Sequence, residues 1–175
     1  AHVARGIAVS LTKQFKGADQ EFETALRLNP KLFEAAYFYG RGLKSQGRNA
    51  EAAKMLERAS LLRPEDFQAP NFLASVLDDM GLAAEAEAAR RISLKLIEER
   101  LELNPDDARA TNLGASTLAR TGDRERTLEY IRRSLAIDPD DSGMLYNIAC
   151  SYALVGMPDE ALASLETAVD RGFGH

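Results

Sequence analysis

Residues 32–70 decide the fold of this chain and read LFEAAYFYGRGLKSQGRNAEAAKMLERASLLRPEDFQAP. The segment is rich in Ala, Leu, Glu and Arg, which are good helix formers. Gly47 interrupts it near the middle and Pro64 closes its apolar pattern. Glycine supplies the backbone angle that ends many helices, and proline cannot continue one. The pattern therefore predicts two helices joined by a turn at Gly47.

The same two markers recur along the whole chain. Successive prolines that close similar phrases are separated by 34, 41 and 34 residues, and successive turn glycines have the same separations. Both markers place seven extra residues between Gly81 and Pro105. The prolines are Pro30, Pro64, Pro105 and Pro139, and the glycines are Gly47, Gly81, Gly122 and Gly156. The chain is therefore built from helical repeats of about 34 residues.

A 34-residue helical repeat with these markers resembles the tetratricopeptide-repeat (TPR) family. With the turn glycine set at repeat position 15, small residues fall at positions 8, 20 and 27, as that family requires. Position 8, for example, holds Gly6, Gly40, Ala74, Ala115 and Ala149. The resemblance implies an all-α, right-handed α-solenoid of about five helix–turn–helix repeats in one array. The repeats span residues 1–32, 33–66, 67–107, 108–141 and 142–175.

Proline and aspartate residues refine the helix boundaries. Asp66, Asp107 and Asp141 precede first helices and are predicted to cap their free N–H groups. Pro158 falls in the first turn of its helix, where a missing N–H does little harm. Pro70 is expected to delay its helix to about residue 69 or 70.

Two residues depart from the repeat pattern. Lys13 occupies the position of the turn glycine in the first repeat, which predicts a truncated or frayed first helix. Gly114 stands where a large residue is usual and is expected to loosen the local packing.

The seven extra residues predict one long second helix in the third repeat, from Ala83 to Leu103. Its apolar residues fall on two opposite faces, one with Ile92, Leu96 and Leu103 and the other with Leu94, Ile97 and Leu101. We favour packing of both faces between neighbouring helices. The alternative is an extra apolar edge for a partner or a second copy.

First helices of TPR arrays line a concave groove, and this resemblance implies where a partner binds. Position 5 carries Tyr and Asn, which supply contact area and paired donor and acceptor groups. The predicted function is a protein-interaction scaffold that binds a peptide or helix of mixed charge. The alternative for these residues is a solvated groove without a partner, or packing of the position 5 tyrosine in the core. The predicted groove residues are Tyr37, Arg41, Lys44, Asn71, Ser75, Asn112, Ser116, Arg120 and Tyr146.

Other function classes are less well supported by the residues. Oligomerisation through the two ends or the long helix, as a homodimer, is the main alternative. A thiol enzyme using Cys150 is a weak alternative, because both histidines are terminal. The sequence holds no metal or cofactor motif, so neither a catalytic residue nor a cofactor is predicted. The groove also lacks the residues with which one TPR subclass grips chaperone tails.

The charge and hydropathy of the chain predict its setting. A net charge of −5 disfavours nucleic-acid binding, and no apolar run is long enough for a membrane span. No signal peptide is visible, which predicts a cytoplasmic protein. Residues 145–175 and 32–70 also resemble the C-terminal TPR module of bacterial multidomain signalling proteins. In that group a class III adenylate/guanylate cyclase, or a kinase, precedes the array, which implies a regulatory module of a larger protein.

Overall fold

The computed structural model describes residues 1–174, which form ten α-helices and no strand. The all-helical repeat fold predicted from the sequence is confirmed. The first six helices are α1 (His2–Leu11), α2 (Phe15–Leu28), α3 (Phe33–Ser45), α4 (Asn49–Leu62), α5 (Gln68–Asp79) and α6 (Ala83–Leu103). The last four are α7 (Ala108–Thr121), α8 (Arg124–Ile137), α9 (Ser142–Leu154) and α10 (Pro158–Asp170).

Consecutive helices pack as hairpins, one for each predicted repeat. The pairs α1–α2, α3–α4, α7–α8 and α9–α10 each share an extensive interface. In the fifth pair, Ala74 and Leu77 of α5 pack with Ala86 and Ala89 of α6. Small side chains at these crossings let two helices approach closely, as the repeat pattern predicts.

The chain forms two compact units, which we call unit 1 (Ala1–Ser93) and unit 2 (from Leu94 onward). The boundary falls inside α6. The core of unit 1 includes Phe22, Leu43 and Leu56, which are almost fully buried. Unit 2 has its own core, with the equally buried Ile97, Leu118, Ile131 and Ile148. That the five repeats form one continuous array stays a prediction.

All five hairpin turns have the same hydrogen bonds, including the turn that lacks glycine. At the turn after α3, the N–H of Gly47 donates to Lys44 O and that of Arg48 donates to Leu43 O. Lys13 takes the place of the glycine after α1 with φ of 58°, and its N–H donates to Ser10 O. Because α1 ends at the same repeat position as α3, the predicted truncation or fraying of α1 is wrong. Lys13 accepts the left-handed backbone instead, at an energetic cost.

The predicted aspartate caps are confirmed, and α5 starts late, as predicted, at repeat position 2, whereas α3, α7 and α9 start at position 1. Asp107 Oδ1 accepts from Ala110 N at 3.0 Å, and Asp141 Oδ1 accepts from Met144 N at 2.6 Å. Asp66 Oδ1 accepts from the backbone N–H groups that open α5. That helix begins at Gln68, ahead of Pro70, because a proline in the first turn has no intrahelical hydrogen bond to lose.

Gly114 tightens the packing of unit 2, which contradicts the expected loosening. A Cβ at this position would lie 2.5 Å from two carbon atoms of the Tyr130 ring. The glycine therefore leaves the space that the ring of Tyr130 fills, with α7 and α8 in close contact.

The long helix α6 has the predicted bounds, but only one of its two apolar faces is mostly buried. Ile97 and Leu101 are buried in unit 2, as expected. Ile92 and Leu103 are 56% and 87% exposed, so the favoured packing of both faces is wrong for these two side chains. Across residues 1–174, no helix has both the length and the low charge content that crossing a membrane requires.

Candidate functional site

In unit 1 the first helices of three repeats lie side by side, with α3 in contact with both α1 and α5. We call the surface that these three helices share the first-helix face of unit 1. The repeat pattern places Arg41 and Lys44 of α3 on this face, beside Asn71 and Ser75 of α5. All four side chains are partly buried. This surface corresponds to the groove that the sequence predicts as a binding site.

Arg41 is held over aromatic rings on this face. Its guanidinium carbon lies 4.7 Å from the ring centroid of Phe72, 5.6 Å from that of Tyr37 and 5.7 Å from that of Phe38. Cations are attracted to ring faces at these distances. Within residues 1–174 no carboxylate pairs with Arg41. Its positive charge is therefore fixed in position but not neutralised by the described part of the chain.

Lys44 is engaged within the unit. Its Nζ lies 2.5 Å from Asp79 Oδ2, which ties α3 to α5 across neighbouring repeats. The pair is partly exposed, so its net contribution to stability is modest. A partner that uses Lys44 must therefore compete with Asp79.

Tyr37 contradicts the prediction that it faces a partner, because its side chain is only 3% exposed. Its ring stacks on Phe33 with centroids 5.5 Å apart and meets Phe72 edge-on at 5.8 Å. Its hydroxyl donates to Gln68 Oε1 at 3.4 Å. Core packing, the alternative stated for this residue, is what the structure shows. Tyr37 supports the site indirectly, as part of the ring platform under Arg41.

A pocket of about 410 Å³ opens between α1, α2 and α3 in unit 1. Its size falls within the range of about 300–1,000 Å³ that is usual for ligand pockets. Phe15 and Phe38 supply aromatic surface over the buried Phe22, and Arg41 and Lys13 supply positive charge. The other lining residues are Ile7, Ser10, Leu11, Gly42 and Ser45, so the lining contains no carboxylate.

Lys13 and Phe38 are not among the groove residues predicted from the sequence. A signal for the aromatic platform was present, because Phe38 and Phe72 occupy the same position, position 6, in consecutive repeats. No repeat marker indicated Lys13, since its role depends on a non-glycine residue that adopts a positive φ. Such residues are uncommon and identify a backbone position worth examining for function.

In unit 2 the predicted groove residue Asn112 is only 5% exposed. Its Nδ2 donates to Met144 O at 3.2 Å, and its Oδ1 accepts from Asn147 Nδ2 at 2.9 Å. The prediction that Asn112 holds a bound peptide is contradicted by this burial. A buried amide needs its partners within the fold, and Asn112 finds them on α9.

The remaining predicted residues of unit 2 are more accessible. Ser116 is partly buried and Arg120 is exposed. Tyr146 is 39% exposed, and its ring stacks on Phe173 with centroids 4.3 Å apart. The charge of a Cys150 thiolate and a hydrogen bond between these two side chains raise the pKa of Tyr146, and burial adds to the shift.

A second pocket, of about 350 Å³, lies on α9 and α10. Its lining is almost entirely apolar and includes Tyr146, Cys150, Leu162 and Leu165. Cys150 is exposed. Within residues 1–174, no three or more His, Cys, Asp or Glu side chains converge in a way that could hold a metal ion.

Two stretches of the chain, residues 40–93 and 142–171, match family profiles described as tetratricopeptide repeat. Protein FlbA of Caulobacter vibrioides is 28% identical over 163 residues. That match covers 93% of this chain but 26% of FlbA, so the chain spans about a quarter of that relative.

Solved structures with this fold include two TPR proteins. One is a thermophilic TPR protein of Thermus thermophilus, with a TM-score of 0.75, 20% identity and coverage of 98% of this chain and 90% of that one. The other is YrrB, described as a TPR protein with an unusual peptide-binding site, with a TM-score of 0.54 and 22% identity. That match covers 99% of this chain and 86% of YrrB. At these identities the likeness concerns the fold.

Proposed function

The chain belongs to the tetratricopeptide-repeat proteins, and from this premise we propose that it is a scaffold whose first-helix face in unit 1 binds a peptide or helix of a partner protein. The observation that carries the proposal is Arg41, a charge fixed by three rings beside a 410 Å³ pocket. Surfaces with aromatic and arginine anchors next to a concavity are typical binding hot spots. YrrB shows that a protein of this fold carries a peptide-binding site.

The proposed site keeps most of the predicted groove residues. In unit 1 it uses Arg41, Lys44, Asn71 and Ser75, with Tyr37 as a supporting ring. In unit 2 the accessible Ser116, Arg120 and Tyr146 offer further contacts, with Asn112 as an internal support.

A peptide library with nuclear magnetic resonance mapping tests this proposal. Random peptides are selected on the immobilised chain, and each selected peptide is titrated into the ¹⁵N-labelled chain. We expect the amide shifts in unit 1 to concentrate in residues 41–45 and 71–79. Shifts confined to the exposed residues Ala50, Glu51, Lys54 and Glu57 of α4 would contradict the proposal.

We also propose that the chain is a regulatory module of a larger cytoplasmic signalling protein of bacterial type. The resemblance to modules that follow cyclase or kinase domains supports this, as does the 26% of FlbA that the chain matches. The residues that flank this segment in its full-length gene product test the proposal. A neighbouring cyclase or kinase domain supports it, and a long uninterrupted repeat array argues against it.

A second candidate function is self-association through the surface of α9 and α10. Leu162, which lines the 350 Å³ pocket, is 57% exposed, and Leu154 of α9 and Val169 of α10 are 49% and 48% exposed. Burying one large aliphatic side chain in an interface contributes about 1.5–3 kcal/mol. Sedimentation of the Leu162→Glu variant tests this, with the exposed neighbour Ala163→Glu as control. A wild-type chain that stays monomeric at every concentration removes this candidate.

A further inference from the structure

We infer that the pocket between α1 and α3 takes a bulky apolar side chain of a peptide whose adjacent carboxylate lies between Lys13 and Arg41. The inference rests on the proposed function, because it names the chemistry of the segment that the first-helix face binds. It predicts a preference for segments in which an aromatic or large aliphatic residue is followed by acidic residues.

The lining of the pocket argues for the apolar part of this ligand. The partly exposed Phe15 and Phe38 present ring carbon atoms, and Ile7 and Leu11 add aliphatic surface, with the buried Phe22 beneath them. Leu11 is 80% exposed, which is unusual for a large apolar side chain beside a pocket. Removing apolar surface from water favours association. A large apolar side chain of a peptide therefore contributes most of its binding free energy at this pocket.

The charges around the pocket argue for the anionic part. Lys13 and Arg41 both line it, and no carboxylate within residues 1–174 pairs with either. The chain as a whole carries a net charge of −5, whereas the lining of this pocket carries two cations and no acid. Charge complementarity at a partly desolvated site gives specificity, and here it selects a negative group.

The hydroxyl groups of the pocket suit a peptide rather than an isolated anion. Ser10 Oγ donates to Ile7 O and Ser45 Oγ donates to Gly42 O, each at 2.8 Å. Each hydroxyl thus donates its hydrogen bond to a carbonyl of its own helix. Its lone pairs can still accept from an N–H group. Backbone N–H groups beside the carboxylate of an acidic segment provide such donors.

The backbone at Lys13 is a second, independent observation. In the four other turns a glycine takes the positive φ, whereas here a lysine does so at 58°. A lysine in this conformation costs stability that a glycine would not. Strain of this kind is concentrated at binding sites, where the side chain is needed in one place. We therefore assign Lys13 a role in ligand binding rather than in folding.

Fluorescence anisotropy with defined peptides tests the inference. The probe is a fluorescein-labelled 12-residue Gly/Ser peptide with a central Phe-Glu-Glu, and the matched peptides carry Phe-Gln-Gln, Ala-Glu-Glu or Phe-Lys-Lys. We expect each replacement to weaken binding at least tenfold. Equal binding of the Phe-Glu-Glu and Phe-Gln-Gln peptides would overturn the inference.

Two variants test whether Arg41 and Lys13 contact the peptide. Arg41→Gln is expected to weaken the Phe-Glu-Glu peptide about tenfold, and Lys13→Gly about threefold. The second variant relieves backbone strain, so lost binding cannot be ascribed to unfolding. The exposed Lys54 on α4 gives the matched control, because Lys54→Gln removes one positive charge away from the pocket. Unchanged binding in Arg41→Gln and Lys13→Gly would overturn the inference.

The outcomes separate this inference from the proposed function. A library-selected peptide without acidic residues that maps to the first-helix face refutes the inference but supports the proposed function. If neither the library nor the Phe-Glu-Glu peptide binds this face, both fail. A single-stranded oligonucleotide that displaces the peptide and binds tighter than it overturns the inference in favour of nucleic acid, since rings and cations also suit bases and phosphates.

Discussion

Unit 1 and unit 2 join neighbouring first helices through different residues at repeat position 5. Position 5 holds Tyr37 in α3 and Asn112 in α7, and both side chains are buried. Each contacts position 6 of the next repeat, where Tyr37 meets the ring of Phe72 and Asn112 meets the amide of Asn147. One unit therefore joins its first helices through rings, and the other through hydrogen-bonded amides.

Tyr37 and Asn112 thus join repeats, whereas Tyr146, at the same repeat position, is 39% exposed. The rings of unit 1 also create a platform that fixes Arg41, whereas the amide pair of unit 2 supports no comparable cation within the described residues 94–174. In unit 2 the large ring, Tyr130, comes from the second helix and lies against Gly114. The same backbone plan thus gives two surfaces with different side-chain chemistry.

The largest loss of stability is expected from a substitution that fills the space between Gly114 and the Tyr130 ring in unit 2. We expect Gly114→Val to lower the free energy of unfolding by about 3 kcal/mol, because its side chain would overlap the Tyr130 ring. Urea denaturation followed by circular dichroism measures the loss. Gly143→Ala is the matched control, since its Cβ would meet nothing closer than 3.4 Å. A Gly114→Val chain as stable as wild type would refute the assignment of close packing at this crossing.

A smaller effect is expected from the amide pair. Asn112→Ala should cost about 2 kcal/mol, because Met144 O and the Asn147 amide lose a buried partner. A double-mutant cycle with Asn147→Ala should give a coupling energy of about 1 kcal/mol. Additive effects of the two variants would show that the amides do not act together. Ser116→Ala, on the same helix but only partly buried, is expected to be near neutral.

In unit 1 we expect the stability of the fold to fall at alkaline pH because of Tyr39. Burial, together with the charges of Asp19 and Glu23, raises the pKa of Tyr39 to about 12, and its hydroxyl donates to Glu23 Oε1 at 3.2 Å. The neutral phenol therefore stabilises the fold fully below pH 10, and this stability is lost as the pH rises from about 10 to 12. We expect a loss of roughly 1 kcal/mol per pH unit in that window.

The Tyr39→Phe variant is the control for this pH dependence. It has no phenol to titrate, so its urea midpoint should fall less steeply between pH 10 and 12 than that of the wild type. Parallel curves for the two chains would show that Tyr39 does not carry the effect.

The smallest effect concerns the turn after α1. Lys13→Gly should raise the free energy of unfolding by about 1 kcal/mol, because glycine accepts a positive φ without a steric penalty. Gly47→Ala in the equivalent turn of unit 1 should lower it by a similar amount. Thermal unfolding of both variants gives the two signs, and a destabilised Lys13→Gly chain would contradict the strain assigned to this residue.

The sequence predicted the fold because each repeat marker has a local physical cause. Gly47, Pro64 and Asp107 act through backbone conformation or capping within a few residues, so their effects need no tertiary information. The bounds of α6 followed from the same spacing, and the structure has them at Ala83 and Leu103.

The site was predicted less well, because its residues act through contacts between repeats. Tyr37 and Asn112 occupy groove positions in the family pattern, yet their burial depends on Phe72 and Asn147 in the following repeats. Gly114 was misjudged because its partner, Tyr130, lies on another helix. The repeat position of a residue determines on which side of its helix the side chain lies. The side chains packed around it determine whether it is exposed.

The thiol of Cys150 in unit 2 allows the native chain to be labelled at a single site. Cys150 is the single cysteine of the sequence, and it is exposed in the lining of the α9–α10 pocket. A maleimide dye or a nitroxide attached there would sense any molecule that covers this surface, without a single substitution elsewhere. Such a label would respond to self-association through this surface and would leave every residue of unit 1 unmodified.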